Sequence, residues 1–373
     1  MPWPAALHSA KPLAWAARSP GRAPSRAKRV LLPSSLPANR RRAPAQRRKW
    51  HPCVDRTSRF LPSNCLCSLL TQGAPGHRGS AAFVREFGPV ATYEQAERAL
   101  EAFYARDHGA IADFGRSILL THGARAERAA ILLHGMSASP AQFRQFSQEL
   151  YERGYNVFVP RLPRHGHADR MTTALAGLQA PALKNTTLQA IEIGRGLGER
   201  LTLIGFSLGG LLAAWAAQYH RVDCVMSIAP FLGVSWVPRH FAAVLAPLAL
   251  RLPNRFPWWD PIQRERQMPA HGYPRYSTHA LAQAYSIAHD LLHDAIAHAP
   301  RAKQILLITN ARESTISNPS VRLLMMRWQK HAAPVRRYEF TDLPFSHDII
   351  EPLRAGGRHV AVVYPKLHEL LEQ

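Results

Sequence analysis

Cysteine is scarce in this chain: of four in 373 residues, Cys53, Cys65 and Cys67 fall within the first ninety and Cys224 stands alone beyond them. A single cysteine gives the later part no disulfide framework, which points to a reducing, cytoplasmic setting. The Cys65-x-Cys67 pair is too tight and too isolated to argue for zinc. Long apolar runs are also missing. The best candidate, Phe241–Leu250, falls short of the ~18 apolar residues of a membrane helix and contains Pro247. No glycine-rich phosphate loop and no cluster of metal-ligating side chains can be picked out. Neither a nucleotide nor a metal is therefore implied, and no cofactor is expected.

Acidic residues are few, 25 against 47 Lys and Arg, for a net charge of +22. The imbalance is local. Residues 1–90 carry sixteen Lys and Arg and only two acids, Asp55 and Glu86, so fourteen of the net positive charges lie there. The same stretch holds 12 of the 30 prolines and the runs Arg40-Arg41-Arg42 and Arg47-Arg48-Lys49. Proline interrupts helix and sheet, and like charges repel, so 1–90 is expected to be a disordered basic leader. Three roles remain open for it: an organelle transit peptide, an anion-binding arm, or an over-extended reading frame, the last favoured by its poor helical amphipathicity. With the charge concentrated there, no nucleic-acid partner is expected for the rest of the chain.

From about residue 91 the pattern is that of a globular α/β protein. Thr92–Asp107 reads as a helix, with Thr92 as cap and Gln95 completing a capping box. Strands are expected at Ser117–Thr121, Ala129–Leu133, Asn156–Pro160, Leu201–Phe206, Val222–Ala229, Gln304–Thr309 and Val335–Thr341. Helices are expected at Pro140–Arg153, Ala182–Leu197, Leu208–Tyr219, Ser317–His331 and Gly357–Leu371. Strands apolar along their whole length are buried on both faces, and helices between them supply parallel crossovers. The expected fold class is α/β, a mostly parallel central sheet with helices on both faces. The rhythm breaks in 231–300, which is rich in Trp, Pro, His and Ala and includes Trp236, Trp258 and Trp259. An insertion there reads as a helical cap over the strand ends, where ligands sit in such sheets. The organisation is then leader 1–90, core 91–230, cap 231–300 and core 301–373.

Gly205-Phe206-Ser207-Leu208-Gly209 lies between a strand and a Leu/Ala-rich helix. A serine in such a turn is lifted clear of the sheet, and a helix N-terminus behind it favours developing negative charge. With Leu133-His134-Gly135-Met136, Pro163-Arg164-His165-Gly166-His167, Asn310-Ala311-Arg312-Glu313 and Ser346-His347-Asp348, the chain resembles the α/β-hydrolase family. Its esterase/lipase and serine-aminopeptidase-like branch, which includes monoacylglycerol lipases, is the most similar. The resemblance covers about residues 115–372. It implies a Ser207, Glu313, His347 triad and an oxyanion hole made by the backbone N–H groups of Met136 and Leu208.

His347 fits the base because it follows the last strand by a short loop, whereas His331, His359 and His368 fall on helices. His165 and His167 resemble the family's structural Gly-His-Gly turn. The family usually has aspartate where this chain has Glu313. Asp342 and Asp348 are the rival carboxylates, and pairing with Arg312 is the alternative role for Glu313. The expected activity is cleavage of an acyl ester, the cap aromatics favouring an apolar acyl group. A peptidase or amidase would need a carboxylate for the free amine, and the cap offers few: Asp260, Glu265, Asp290 and Asp294. A catalytically inert binding protein on the same fold is the third reading. Serine at position 207 argues against the aspartate-nucleophile dehalogenases and epoxide hydrolases.

Overall fold

Seven strands form one sheet in a computed structural model that describes residues 90–235, 246–260, 262, 264, 268–353 and 359–373. The expected leader lies outside these residues except for Val90, and so do Trp236 and Glu265 of the expected cap. The strands are β1 (Ile118–Leu120), β2 (Ala126–Leu133), β3 (Tyr155–Val159), β4 (Gly198–Phe206), β5 (Cys224–Ile228), β6 (Ile305–Asn310) and β7 (Val335–Phe340). Their order is β1-β3-β2-β4-β5-β6-β7, and every pairing is parallel except β1 with β3. All of β3 and β6 is buried, as continuous apolar strands of a two-sided sheet require.

The helices are α1 (Tyr93–Tyr104), α2 (Arg144–Glu152), α3 (Ala180–Leu197), α4 (Leu208–Tyr219), α5 (Thr278–Asp294), α6 (Asn318–Lys330) and α7 (Val360–Glu372). The capping box at Thr92 and Gln95 forms as its sequence predicts. α2 packs on β3 and brings α7 with it through Phe146, which touches Tyr364 and stacks on His368. α3, α4 and α5 form a contiguous layer. α6 joins it where Trp328 Nε1 donates to Gln218 Oε1 on α4 at 2.6 Å. Among the described residues no helix is long and apolar enough to cross a membrane.

Several boundaries differ from the sequence reading. The single helix expected at Pro140–Arg153 is a 3-10 turn, Pro140–Phe143, followed by α2. β2 and β4 both begin earlier than their apolar stretches, because Ala126 and Arg128 pair with Gly198 and Arg200 beyond the buried part of the sheet. Backbone pairing continues there although Glu127, Arg128, Glu199 and Arg200 are polar. The interval 231–300 contains a helix of the core layer. Its α5 buries Ala280, Ala284, Ile287, Ala288 and Leu291 and packs on α4 as the crossover from β5 to β6. Alanines on that face let two helices approach closely, and local composition does not distinguish this from a cap helix.

Candidate active site

Ser207 sits between β4 and α4 with φ 53° and ψ −110°, a conformation that L-residues seldom adopt. The glycines around it have a steric cause. A Cβ on Gly205 would lie 2.0 Å from Gly209 O, and one on Gly209 would lie 1.8 Å from Leu133 O. Any side chain at either position would push the turn off the sheet. The Ser207 N–H donates to Ile228 O at 2.9 Å and its carbonyl accepts from Leu211 and Phe231, so the strained turn is held on both sides.

Two loops at the carboxyl ends of strands converge on this serine. His347 Nε2 is 2.8 Å from Ser207 Oγ, and His347 Nδ1 is 3.0 Å from Glu313 Oε1. A carboxylate only accepts, so Nδ1 carries the proton and Nε2 is the acceptor for the serine hydroxyl. Glu313 Oε1 also accepts from the amides of Thr315 at 2.8 Å and Ile316 at 3.3 Å. Burial alone would raise the Glu313 carboxyl. The His347 charge, the His347 hydrogen bond and the two amides outweigh it, and the net shift is downward. The loop carrying His347 is anchored by Asn310 at the end of β6, whose Nδ2 donates to Pro344 O at 3.0 Å and Ser346 O at 2.9 Å.

The structure separates the rival carboxylates from the imidazole. Asp342 is exposed, and no bond to His347 joins it among the described residues. Asp348 is buried, and its Oδ2 accepts from Gln142 Nε2 at 3.1 Å. Arg312 forms no ion pair with Glu313 among the described residues. His331 and His368 are structural, bonded to Ile296 O and Glu149 Oε2 respectively. His359, just before α7, lies in the wall of the site cavity.

The loop after β2 contains the amide expected to face the carbonyl oxygen. Gly135 N–H donates to Gln142 Oε1 at 2.9 Å, and Ser137 N–H donates to His165 Nε2 at 3.2 Å. Met136 N–H, between them, has no acceptor among the described residues. Leu208 N–H is at the first position of α4, where a helix leaves its amide unpaired. Both residues line the cavity beside Ser207.

Gln142 is the site residue that sequence reading missed. It is buried and joins the Gly135 amide to Asp348, next to His347. Nothing in its sequence neighbourhood marks it, because the 3-10 turn is what aims it inward. Gln142→Met removes both bonds at nearly constant volume. Steady-state kinetics on a short ester should then show kcat falling roughly tenfold or more with KM little changed, a fraction of the cost of losing an oxyanion donor outright. An unchanged kcat would make Gln142 simple filling.

His134 and His165 are fully buried and have the same tautomer. Each takes a backbone N–H at Nε2, from Leu162 and Ser137 respectively, while Nδ1 faces a carbonyl. Burial lowers both: His134 well below 6.5, and His165 to about 4. The unfolded chain therefore takes up these protons first as pH falls. The contribution of these two imidazoles to stability is full above about pH 6.5 and is lost as pH falls from 6.5 to 4, by about 3 kcal/mol for His165. Urea midpoints of the wild type should fall between pH 7 and pH 5, and His165→Gln should flatten that fall while His134 maintains part of it. Parallel curves for the two proteins would refute the assignment.

Described residues of the interval expected as a cap line part of the site cavity. Residues 257–259 pair with 274–276 through Trp259 N–H to Pro274 O and Tyr276 N–H to Pro257 O. The return strand of this pair is tied to the core: Tyr273 N–H donates to Ser137 O at 2.7 Å, and Arg170 donates to the carbonyls of Met268, Pro269 and Gly272. His271 lies between the loop after β2 and the segment after His347. Its Nδ1 is 3.3 Å from Ser139 Oγ and its Nε2 is 2.8 Å from Glu351 Oε2. Beneath lies a cavity of about 720 Å3 lined by Trp258, Trp259, Met268, Tyr276, Leu281 and Phe231 on its apolar side.

A mostly parallel seven-stranded sheet with a serine at a strand-to-helix turn and a histidine loop after the last strand defines the α/β-hydrolase fold. The chain belongs to the alpha/beta hydrolase family, whose sequence profile matches residues 130–366. Its relatives include esterases and lipases. A Mycoplasma pneumoniae protein named "Putative esterase/lipase 3" is 27% identical over 108 residues, 28% of this chain and 37% of that protein. The match thus spans little more than a third of the relative. Among solved structures, one from work on the metagenome-derived lipolytic enzymes LipS and LipT superposes with a TM-score of 0.52 and 18% identity. It covers 70% of this chain and 100% of its own. A soluble variant of monoglyceride lipase from Saccharomyces cerevisiae gives 0.50 and 13%, covering 68% and 90%. At such identities the likeness is one of fold.

Proposed function

We propose that this hydrolase is a serine enzyme that cleaves carboxylic esters through an acyl-enzyme, with Ser207 as nucleophile, His347 as general base and acid, and Glu313 as the group that orients His347. The observation that carries the reading is the continuous relay from Ser207 Oγ to His347 Nε2 at 2.8 Å and from His347 Nδ1 to Glu313 at 3.0 Å. Oγ attacks the ester carbonyl while its proton passes to Nε2. The carbonyl oxygen gains negative charge, which the Met136 and Leu208 amides stabilise. His347 then returns the proton to the leaving alkoxide and leaves Ser207 acylated. Water, deprotonated by His347, attacks the acyl group and restores Oγ–H. Throughout, Glu313 offsets the charge of the imidazolium.

The cavity wall favours an ester over a peptide with a free amine. Among the described residues it holds one carboxylate, Asp348, which already accepts from Gln142. The cap proper we place between β5 and α5, where its aromatic side chains would seat an apolar acyl chain. The isolated Cys224 supports a reducing, cytoplasmic setting.

A fluorophosphonate probe followed by peptide mass mapping tests the reading. One adduct is expected, on Ser207, and a panel of esters should show turnover increasing with acyl length until the cavity is filled. A folded protein that takes no label at Ser207 would overturn it.

A further inference from the structure

A second cavity, of about 360 Å3, opens at the carboxyl end of β3, beyond the loop after β2. Its wall contains Arg106, Arg161 and Arg164, the imidazoles of His108 and His167, and Thr186, with the Phe103 ring beside them. Among the described residues none that lines it is acidic. The neighbouring carboxylate, Asp107, is buried and already bonded to Arg161 at 2.6 Å. Arg164 makes no ion pair and no side-chain hydrogen bond among the described residues. Its guanidinium rests against Gly177, where a Cβ would come within 3.2 Å of Nε.

Two details show that the crowding of cations is built in. Arg164 has φ 67°, a conformation that costs a non-glycine residue energy and that turns the chain between β3 and the Gly166 turn. His167 is held below its ordinary value by burial and by the Arg161 and Arg164 charges, which outweigh the opposing charge of Asp169. Clefts at the carboxyl ends of strands are where open α/β sheets bind ligands, and this one lies apart from Ser207.

We propose that this cavity is a binding site for a phosphate group, free or carried as a monoester on a small organic body. A tetrahedral dianion presents acceptor oxygens in several directions, which matches guanidinium, imidazole and hydroxyl donors converging from three segments of chain. A flat carboxylate uses fewer of them. The volume exceeds what a bare ion fills, which leaves room for an organic body. The site is independent of the hydrolytic reading, since no lining residue belongs to the relay at Ser207.

Calorimetric titration of the full-length chain with inorganic phosphate and with glycerol 3-phosphate, at ionic strength fixed by sodium chloride, tests this. Saturable binding to one site is expected, weakened tenfold or more by Arg164→Gln and again by Arg106→Gln. Arg164 is exposed, so the variant should keep its melting temperature in chloride. The basic leader attracts the same anions, and the substitution therefore decides. Tighter binding of glycerol 3-phosphate identifies a carried monoester, and equal binding identifies phosphate itself. Heats that do not saturate, or binding undiminished in Arg164→Gln, would overturn the proposal.

Discussion

Ser207→Ala is expected to fold like the wild type and to lose three or more orders of magnitude in ester turnover. The hydroxyl is the only group removed. The turn does not depend on it, because its conformation is held by the bond to Ile228 O, the bonds from Leu211 and Phe231, and the steric demands at Gly205 and Gly209. What remains in the variant is substrate binding and the two amides of the oxyanion site, which in triad enzymes leave a small fraction of the rate. The measurement is kcat on a short aryl ester, with circular dichroism and thermal melting as controls. Turnover within tenfold of wild type, from a protein free of contaminating hydrolase, would mean that the chemistry is carried elsewhere.

Glu313→Gln should reduce kcat by about 10²–10⁴, by analogy with triad-acid replacements. The amide keeps the size of the side chain but removes the charge that offsets the imidazolium. Its NH2 end would also favour the tautomer in which His347 Nδ1 accepts, leaving Nε2 protonated and unable to take the serine proton. Glu313→Asp should be far milder, because the charge remains and the shortfall is one methylene. Asp342→Asn is the control, an exposed change expected to be nearly silent. Asp348→Asn does not serve as a second control, although it is next to the base in sequence. Asp348 is buried and accepts from Gln142, so the change disturbs the loop after β2 as well. A crippled Asp342→Asn beside a normal Glu313→Gln would move the acid to the end of β7.

Much of this site is legible in the residues themselves. A serine between two glycines after an apolar strand is constrained by local sterics, so its turn can be read before any fold is known. The capping box at Thr92 and the buried strands are local in the same sense. His347 is marked by its place after the last strand, and Glu313 is reached only through the family's pattern, because an acid in a loop has no local signature. Gln142 gave no signal. Its two bonds connect residues seven and 206 positions away, and only the folded chain brings them together. The anion cavity was equally hidden, since it collects Arg106, Arg164 and Thr186 from three separate segments.

The sequence by itself determined the sheet-and-helix alternation and the strand, serine and helix pattern at Gly205–Gly209, because each is written in neighbours within a few residues and in whether a side chain is apolar. The close contact of Gly209 with Leu133 and the bond of Ser207 to Ile228 come instead from the assembled sheet. Tertiary structure alone decided which carboxylate faces His347, which amide is left open for an oxyanion, and that α5 belongs to the core layer. Those outcomes depend on distances between residues far apart in the chain. Such distances are set by how the strands order themselves in the sheet and how the loops at their ends close on one another.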